Sequence, residues 1–233
     1  MTTLFSPRLS LLAASLTLLA GAATTSTPAL ADDGARAFEV TITNLTRGQR
    51  FTPILVASHR AGVKLFEFGQ PASAELVALA ENGATDPFKA TLGNNRHVLD
   101  VTDTGGLLDP GQSVTVRVKT NGRFDHLSVA SMLIPTNDAF FALNGVAGPN
   151  GGYTRTLYSG AYDAGSERND ESCASIPGPF FAECGGPGGG GAPDGDEEGF
   201  VHVHAGIHGI GDLTAAERDW RNPVARIVIR QVR

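Results

Sequence analysis

The sequence predicts an all-β domain of the sandwich type, on three observations: apolar and polar residues alternate in several short segments, turn-forming residues separate those segments, and helical periodicity is scarce. The alternation is plainest in Phe38-Glu39-Val40-Thr41-Ile42-Thr43, where one face of an extended chain is apolar and the other polar, as a half-buried strand requires. The same period recurs at Val114, Val116 and Val118, and at Leu127 and Val129. Residues 51–57, 97–101 and 200–204 read as further strands, and Ala225-Arg226-Ile227-Val228-Ile229 as a closing one with Arg226 and Arg230 facing out. Asp109-Pro110-Gly111 is a turn between strands, because proline presets φ and glycine accepts a positive one. One or two short helices fit in the connections. Residues 73–81 open on a capping serine, Ser73, and carry Leu76, Val77, Leu79 and Ala80, and Thr214-Ala215-Ala216-Glu217 has capping-box spacing. No internal repeat is visible.

The first residues follow a different plan. Arg8 gives a short basic start, residues 9–23 are uncharged and mostly apolar, and residues 24–31 return to small and polar types ending in Ala29-Leu30-Ala31. This is the layout of a secretory signal peptide over residues 1–31, with cleavage after Ala31, where small side chains fit a signal peptidase. An apolar run of ~15 residues is too short to cross a bilayer, which takes about 20. Residues 32–233 are then one domain, exported to the periplasm or beyond, with no membrane span expected in the mature chain. The formal charge is −6, and −7 once Arg8, the leader's only charge, is removed. So acidic a surface repels phosphate backbones and argues against nucleic acid as a partner.

Export also bears on Cys173 and Cys184, since an oxidising compartment makes a disulfide between them the expected state. Two free thiols are the alternative; a metal-binding pair fits less well, because the spacing is far wider than Cys-x-x-Cys. Residues 184–199 form a Gly-rich acidic loop. Its Gly/Pro tract, 185–191, cannot pack a core and reads as a mobile surface segment, running into Asp194, Asp196, Glu197 and Glu198.

No motif of an enzyme is present: the chain lacks a Gly-x-Ser-x-Gly elbow, a phosphate-cradling Gly-x-x-x-x-Gly-Lys loop and a His-Glu-x-x-His helix. The chemistry-bearing residues are instead acidic. Ile134-Pro135-Thr136-Asn137-Asp138 follows a strand, and Tyr162-Asp163-Ala164-Gly165-Ser166-Glu167 follows a Gly-rich connection, which places Asp138, Asp163 and Glu167 in loops. Hard cations such as Ca²⁺ take six to eight oxygens, and loops at one end of a sandwich can supply them. Gly165 would let the chain curl between Asp163 and Glu167. Acidic residues in loops are, however, commonly just solvated.

These same segments resemble the spondin N-terminal domain family, found in animal matrix proteins and in many bacterial secreted proteins. The family's Ser-Pro-Asp-Trp element is similar to Thr136-Asn137-Asp138-Ala139, and its Tyr/Trp-Asp-Ala-Gly-Thr-Asp element to Tyr162-Asp163-Ala164-Gly165-Ser166-Glu167. Its closing strand resembles Pro223-Val224-Ala225-Arg226-Ile227-Val228-Ile229, and its early block Pro53-Ile54-Leu55-Val56-Ala57-Ser58-His59 with Leu65-Phe66-Glu67-Phe68-Gly69. The resemblance implies a C2-like antiparallel β-sandwich and a structural Ca²⁺ held by Asp138, Asp163 and Glu167. Two positions depart from the pattern: Ala139 replaces tryptophan, and Glu167 replaces aspartate, so that Asp170 is an alternative ligand. The function implied is a secreted calcium-binding module for adhesion, its partner an extracellular protein or glycan.

A second set of metal-ligating residues lies outside that pattern. Val201-His202-Val203-His204 puts His202 and His204 on one face of a strand, with His208 after a glycine, and three imidazoles could hold Zn²⁺ or Cu²⁺ in a carrier or a metal-dependent enzyme. The simpler reading is that they line a strand face or bond neighbouring loops. Trp220 beside the last strand reads as a packing anchor rather than a recognition patch.

Overall fold

The computed structural model describes residues 36–191 and 195–233. The expected leader and its cleavage site lie outside the described residues, as does Asp194 of the acidic run. The elements run β1 (Ala37–Asn44), β2 (Arg50–Phe51), β3 (Leu55–His59), α1 (Ala74–Asn82), α2 (Asp86–Gly93), β4 (Val98–Asp103), β5 (Ser113–Lys119), β6 (His126–Ile134), β7 (Ala139–Ala147), β8 (Thr154–Ser159), β9 (Ala161–Asp163), β10 (Phe180–Phe181), β11 (Gly186–Pro187), β12 (His202–Val203), α3 (Ala215–Arg218) and β13 (Ala225–Val232).

Two antiparallel sheets form the sandwich. The smaller is ordered β5-β1-β13-β8 and the larger β12-β9-β7-β6-β3-β4, with β2 added on β6. In the smaller sheet the period-two pattern works as expected: Phe38, Val40 and Ile42 of β1 and Ile227 and Ile229 of β13 point inward and share one core with Val56, Leu127, Val129 and Phe141 of the larger sheet. Arg226 and Arg230 are exposed on the opposite face of β13.

The larger sheet is covered on both faces. Leu55, Ala57, Ala130 and Phe140 turn away from the sandwich core into a second cluster with Leu76 and Leu79 of α1 and Phe88 and Leu92 of α2. Hence β6 is buried along nearly its whole length, and Ser128, which falls on the polar phase of the Leu127/Val129 alternation, is not at the surface: its hydroxyl bonds His59 Nε2 at 2.9 Å. A strand buried on both faces loses the clean alternation of a half-exposed one.

Among the described residues three helices are present where one or two were expected. α1 starts where its sequence says, with Ser73 Oγ accepting the Leu76 N–H at 3.3 Å and Gly83 closing it in a left-handed conformation. α2 was not foreseen; Pro87 sits in its first turn, where no N–H is needed, and Phe88 and Leu92 give it one buried face. Thr214 precedes α3 but makes no side-chain cap bond.

Cys173 and Cys184 form a disulfide. The Gly tract beyond it is more closely seated than a mobile segment: Gly189 N–H bonds the Cys173 carbonyl at 2.8 Å, and a Cβ on Gly188 or Gly189 would overlap the carbonyls of Ile176 and Ala174. There the glycines allow backbone to lie against backbone. No helix among the described residues is long and apolar enough to cross a membrane.

Candidate metal centre

Three neighbouring strands deliver the site. Antiparallel register sets Ala139, the first residue of β7, opposite Asp163, the last of β9, and Asp163 opposite His202 of β12. Asp138 immediately precedes β7. Asp163 is therefore a strand residue rather than a loop residue as the sequence suggested, and both acids are buried, with Asp138 fully inaccessible and Asp163 1 % exposed.

The turn after β9 wraps around these carboxylates. Asp163 Oδ1 accepts the Gly165 N–H at 2.8 Å, while Asp138 Oδ2 accepts the N–H groups of Ser166 at 2.9 Å and Glu167 at 3.2 Å. Asp138 Oδ1 is buried and meets no hydrogen-bond donor among the described residues. Burial first, and then the charge of Asp163, pushes the Asp138 carboxyl far above the usual carboxylate range. Burial likewise raises that of Asp163, bonds from Asn169 and Gly165 hold it back, and the charge of Glu198 raises it further.

Gly165 is what lets a third segment reach this pair. Its φ is +65°, and a Cβ there would overlap the Phe200 carbonyl oxygen. Its own carbonyl accepts the Gly199 N–H at 2.9 Å. The segment docked in this way brings Glu198 and His202 to Asp163, so that ligand atoms of Asp163, Glu198 and His202 all lie within 4.8 Å of one another. His202 Nδ1 is 3.7 Å from Asp163 Oδ1 and 3.1 Å from the Phe200 carbonyl. Asn169 supports the group: its Nδ2 donates to Asp163 Oδ2 at 2.8 Å and, at 3.5 Å, to Glu198 Oε1.

The family model for Spondin_N matches residues 41–165, more than half of the 233-residue chain. The chain belongs to the spondin N-terminal domain family. No curated protein matches it. Within this spondin domain the matched stretch includes Asp138 and Asp163, whereas Glu167, Glu198 and His202 lie beyond it.

Of the three acids singled out by sequence, the spondin fold brings Asp138 and Asp163 together. Glu167 gives its backbone N–H to Asp138. Asp170 is committed elsewhere: although burial opposes it, bonds from Ser175, Ser172 and Asn137 hold its carboxyl below the usual range. The three histidines do not converge as a ligand set among the described residues. His208 is exposed and faces Glu171, 3.9 Å from its Oε1. His204 is buried against Trp220, with ring centroids 5.1 Å apart. Burial depresses its pKa to about 4. The neutral ring accepts the Gly206 N–H on Nδ1 at 2.9 Å, leaving Nε2–H to donate to Asn169 Oδ1 at 3.2 Å, so both nitrogens are occupied. Trp220, 7 % exposed, is part of the sandwich core.

By sequence Glu198 is one of the acids in the Gly-rich loop of residues 184–199. Nothing local distinguishes it from Glu197; the one signal was the glycine at 165, which permits the close approach of the segment that carries it.

Proposed function

We propose that this spondin domain works outside the cytoplasm as a binding module with no catalysis of its own, its loop end organised by a structural divalent cation. Ca²⁺ is the ion that the family resemblance implies. The reading is carried by one observation: Asp138 is fully buried beside Asp163, and its Oδ1 meets no donor among the described residues. Two carboxylates placed in this way are costly unless protonated or neutralised by a cation. Asp138 and Asp163 would hold the ion, with Glu167 the third acid suggested by the resemblance, and their hard oxygens suit Ca²⁺. Bound there, the ion neutralises the paired acids and fixes the start of β7 to the end of β9. The turn at residues 165–167 orients Asp138 through backbone N–H groups, and Asn169 orients Asp163.

Export is supported by the leader pattern of residues 1–31 and is compatible with the Cys173–Cys184 disulfide. An adhesive role towards an extracellular protein or glycan follows from the family alone. Elemental analysis of the mature protein, with thermal melts in EDTA and in added Ca²⁺, tests the cation. About one Ca per chain with a raised Tm is expected; no bound metal and no response to Ca²⁺ would refute it.

A further inference from the structure

We propose that Glu198 and His202 complete the Asp138–Asp163 site and open it to first-row divalent ions, so that Zn²⁺ competes with Ca²⁺ for the same position and binds it more tightly. This rests on the reading that a cation sits at Asp138 and Asp163, and it concerns which ions the site accepts. Ligand atoms of Asp163, Glu198 and His202 lie within 4.8 Å of one another, close enough to share one ion. Beside Asp163, Asp138 is fully buried with Oδ1 lacking a donor among the described residues, an independent sign that this pair of acids is built to face a positive charge.

The donor set is mixed. Carboxylate oxygens suit Ca²⁺, whereas an imidazole nitrogen favours Zn²⁺ and its neighbours in the first row. His202 is placed for this role in a way that His204 is not. His204 has both nitrogens engaged within the protein. His202 spends Nδ1 on the Phe200 carbonyl at 3.1 Å while the same atom faces Asp163 Oδ1 at 3.7 Å. Coordination through that atom takes the neutral tautomer with its proton on Nε2, so that the bond to the Phe200 carbonyl is given up for the ion. Asn169 ties the remaining parts together, since one side chain amide touches Asp163, Glu198 and His204. Ligand carboxylates are commonly oriented by such outer hydrogen bonds. The site is closed on the Asp138 side and open on the side of the exposed Glu198, which leaves an ion a path in and out.

The test is calorimetric titration of the metal-free mature protein with Zn²⁺ and with Ca²⁺, each repeated in the presence of the other, on the wild type and on His202→Gln and Glu198→Gln. Zn²⁺ should bind the wild type with the lower Kd and be displaced by excess Ca²⁺. His202→Gln should lose about tenfold or more in Zn²⁺ affinity, at least the loss caused by removing a supporting hydrogen bond, and keep its Ca²⁺ affinity; Glu198→Gln should weaken both. Since a variant can fail by misfolding, Mn²⁺ is added to the wild type as a paramagnetic probe. Selective broadening of the His202 ring protons supports the assignment, and their persistence overturns it. Unchanged Zn²⁺ affinity in His202→Gln, or Zn²⁺ binding that Ca²⁺ does not displace, also overturns it. Binding of Ca²⁺ without Zn²⁺ refutes this inference alone, whereas binding of neither ion refutes the cation site itself.

Discussion

Asp138→Asn should stabilise this domain in the absence of a cation and lose that advantage when a cation is bound. The substitution keeps the size of the side chain and removes one charge. In the wild type Oδ2 is satisfied by the N–H groups of Ser166 and Glu167, while Oδ1 has no donor among the described residues beside the carboxylate of Asp163. An asparagine can keep its carbonyl on the two N–H groups and turn its amide towards Asp163. A hydrogen bond to a charged group contributes roughly 1.5–3 kcal/mol, which for a domain of this size is a rise in Tm of roughly 3–12 °C. That is the expected result at pH 8 in EDTA. In Ca²⁺ at 100 times its Kd the wild type gains about 2.7 kcal/mol, roughly 5–11 °C, and the variant gains little because it has lost a charged ligand. The melting curves of the two proteins should therefore draw together or cross when Ca²⁺ is added. Differential scanning calorimetry on both, in EDTA and in a Ca²⁺ series, reads this directly. An equal loss of stability in the variant under both conditions would mean that the Asp138 carboxylate is held by protein groups and not by an ion.

Further outcomes follow from other parts of the fold. Gly165→Ala places a methyl group against the Phe200 carbonyl at a φ of +65°; it should cost about 1–2 kcal/mol from the backbone conformation alone and should abolish the cation-dependent rise in Tm by lifting the Glu198–His202 segment off Asp163. Glu171 accepts the N–H groups of His208, Gly209 and Ile210 at 2.6, 2.7 and 2.9 Å, and Glu171→Gln turns an NH₂ towards at least one of them; urea unfolding should show a loss of about 1–3 kcal/mol. The Asp103 carboxyl is held below its ordinary value of 3.8 by Lys89, with Thr85 and Gly105 helping against burial. A group whose pKa is depressed on folding contributes stability above its unfolded pKa and loses it as pH falls through the folded one. Asp103→Asn should thus lower Tm at pH 7, and the gap to the wild type should close only as the pH drops below about 3.8; a gap independent of pH would refute the ion pair as its cause.

The parts of the fold that the sequence reveals are those with one wet face. β1, β5 and β13 alternate because the smaller sheet is half exposed, and α1 is visible through its Ser73 cap and its apolar spacing. β7, with Phe140 and Phe141 adjacent and both buried, carries no alternation, because α1 and α2 cover the far face of its sheet. The same covering layer hid α2, whose two core residues, Phe88 and Leu92, are too few to mark a helix by periodicity.

By itself the sequence determined the sandwich, the disulfide and the pair Asp138 and Asp163, since each is carried by a local pattern: strand alternation, two cysteines in one segment, short motifs beside strand ends. Only the tertiary structure decided that Asp163 meets Glu198 and His202 while Glu167 turns its backbone to Asp138 and His208 faces Glu171. The meeting at Asp163 is set by strand register and by the room left at Gly165, and both depend on segments more than thirty residues apart arriving at one place.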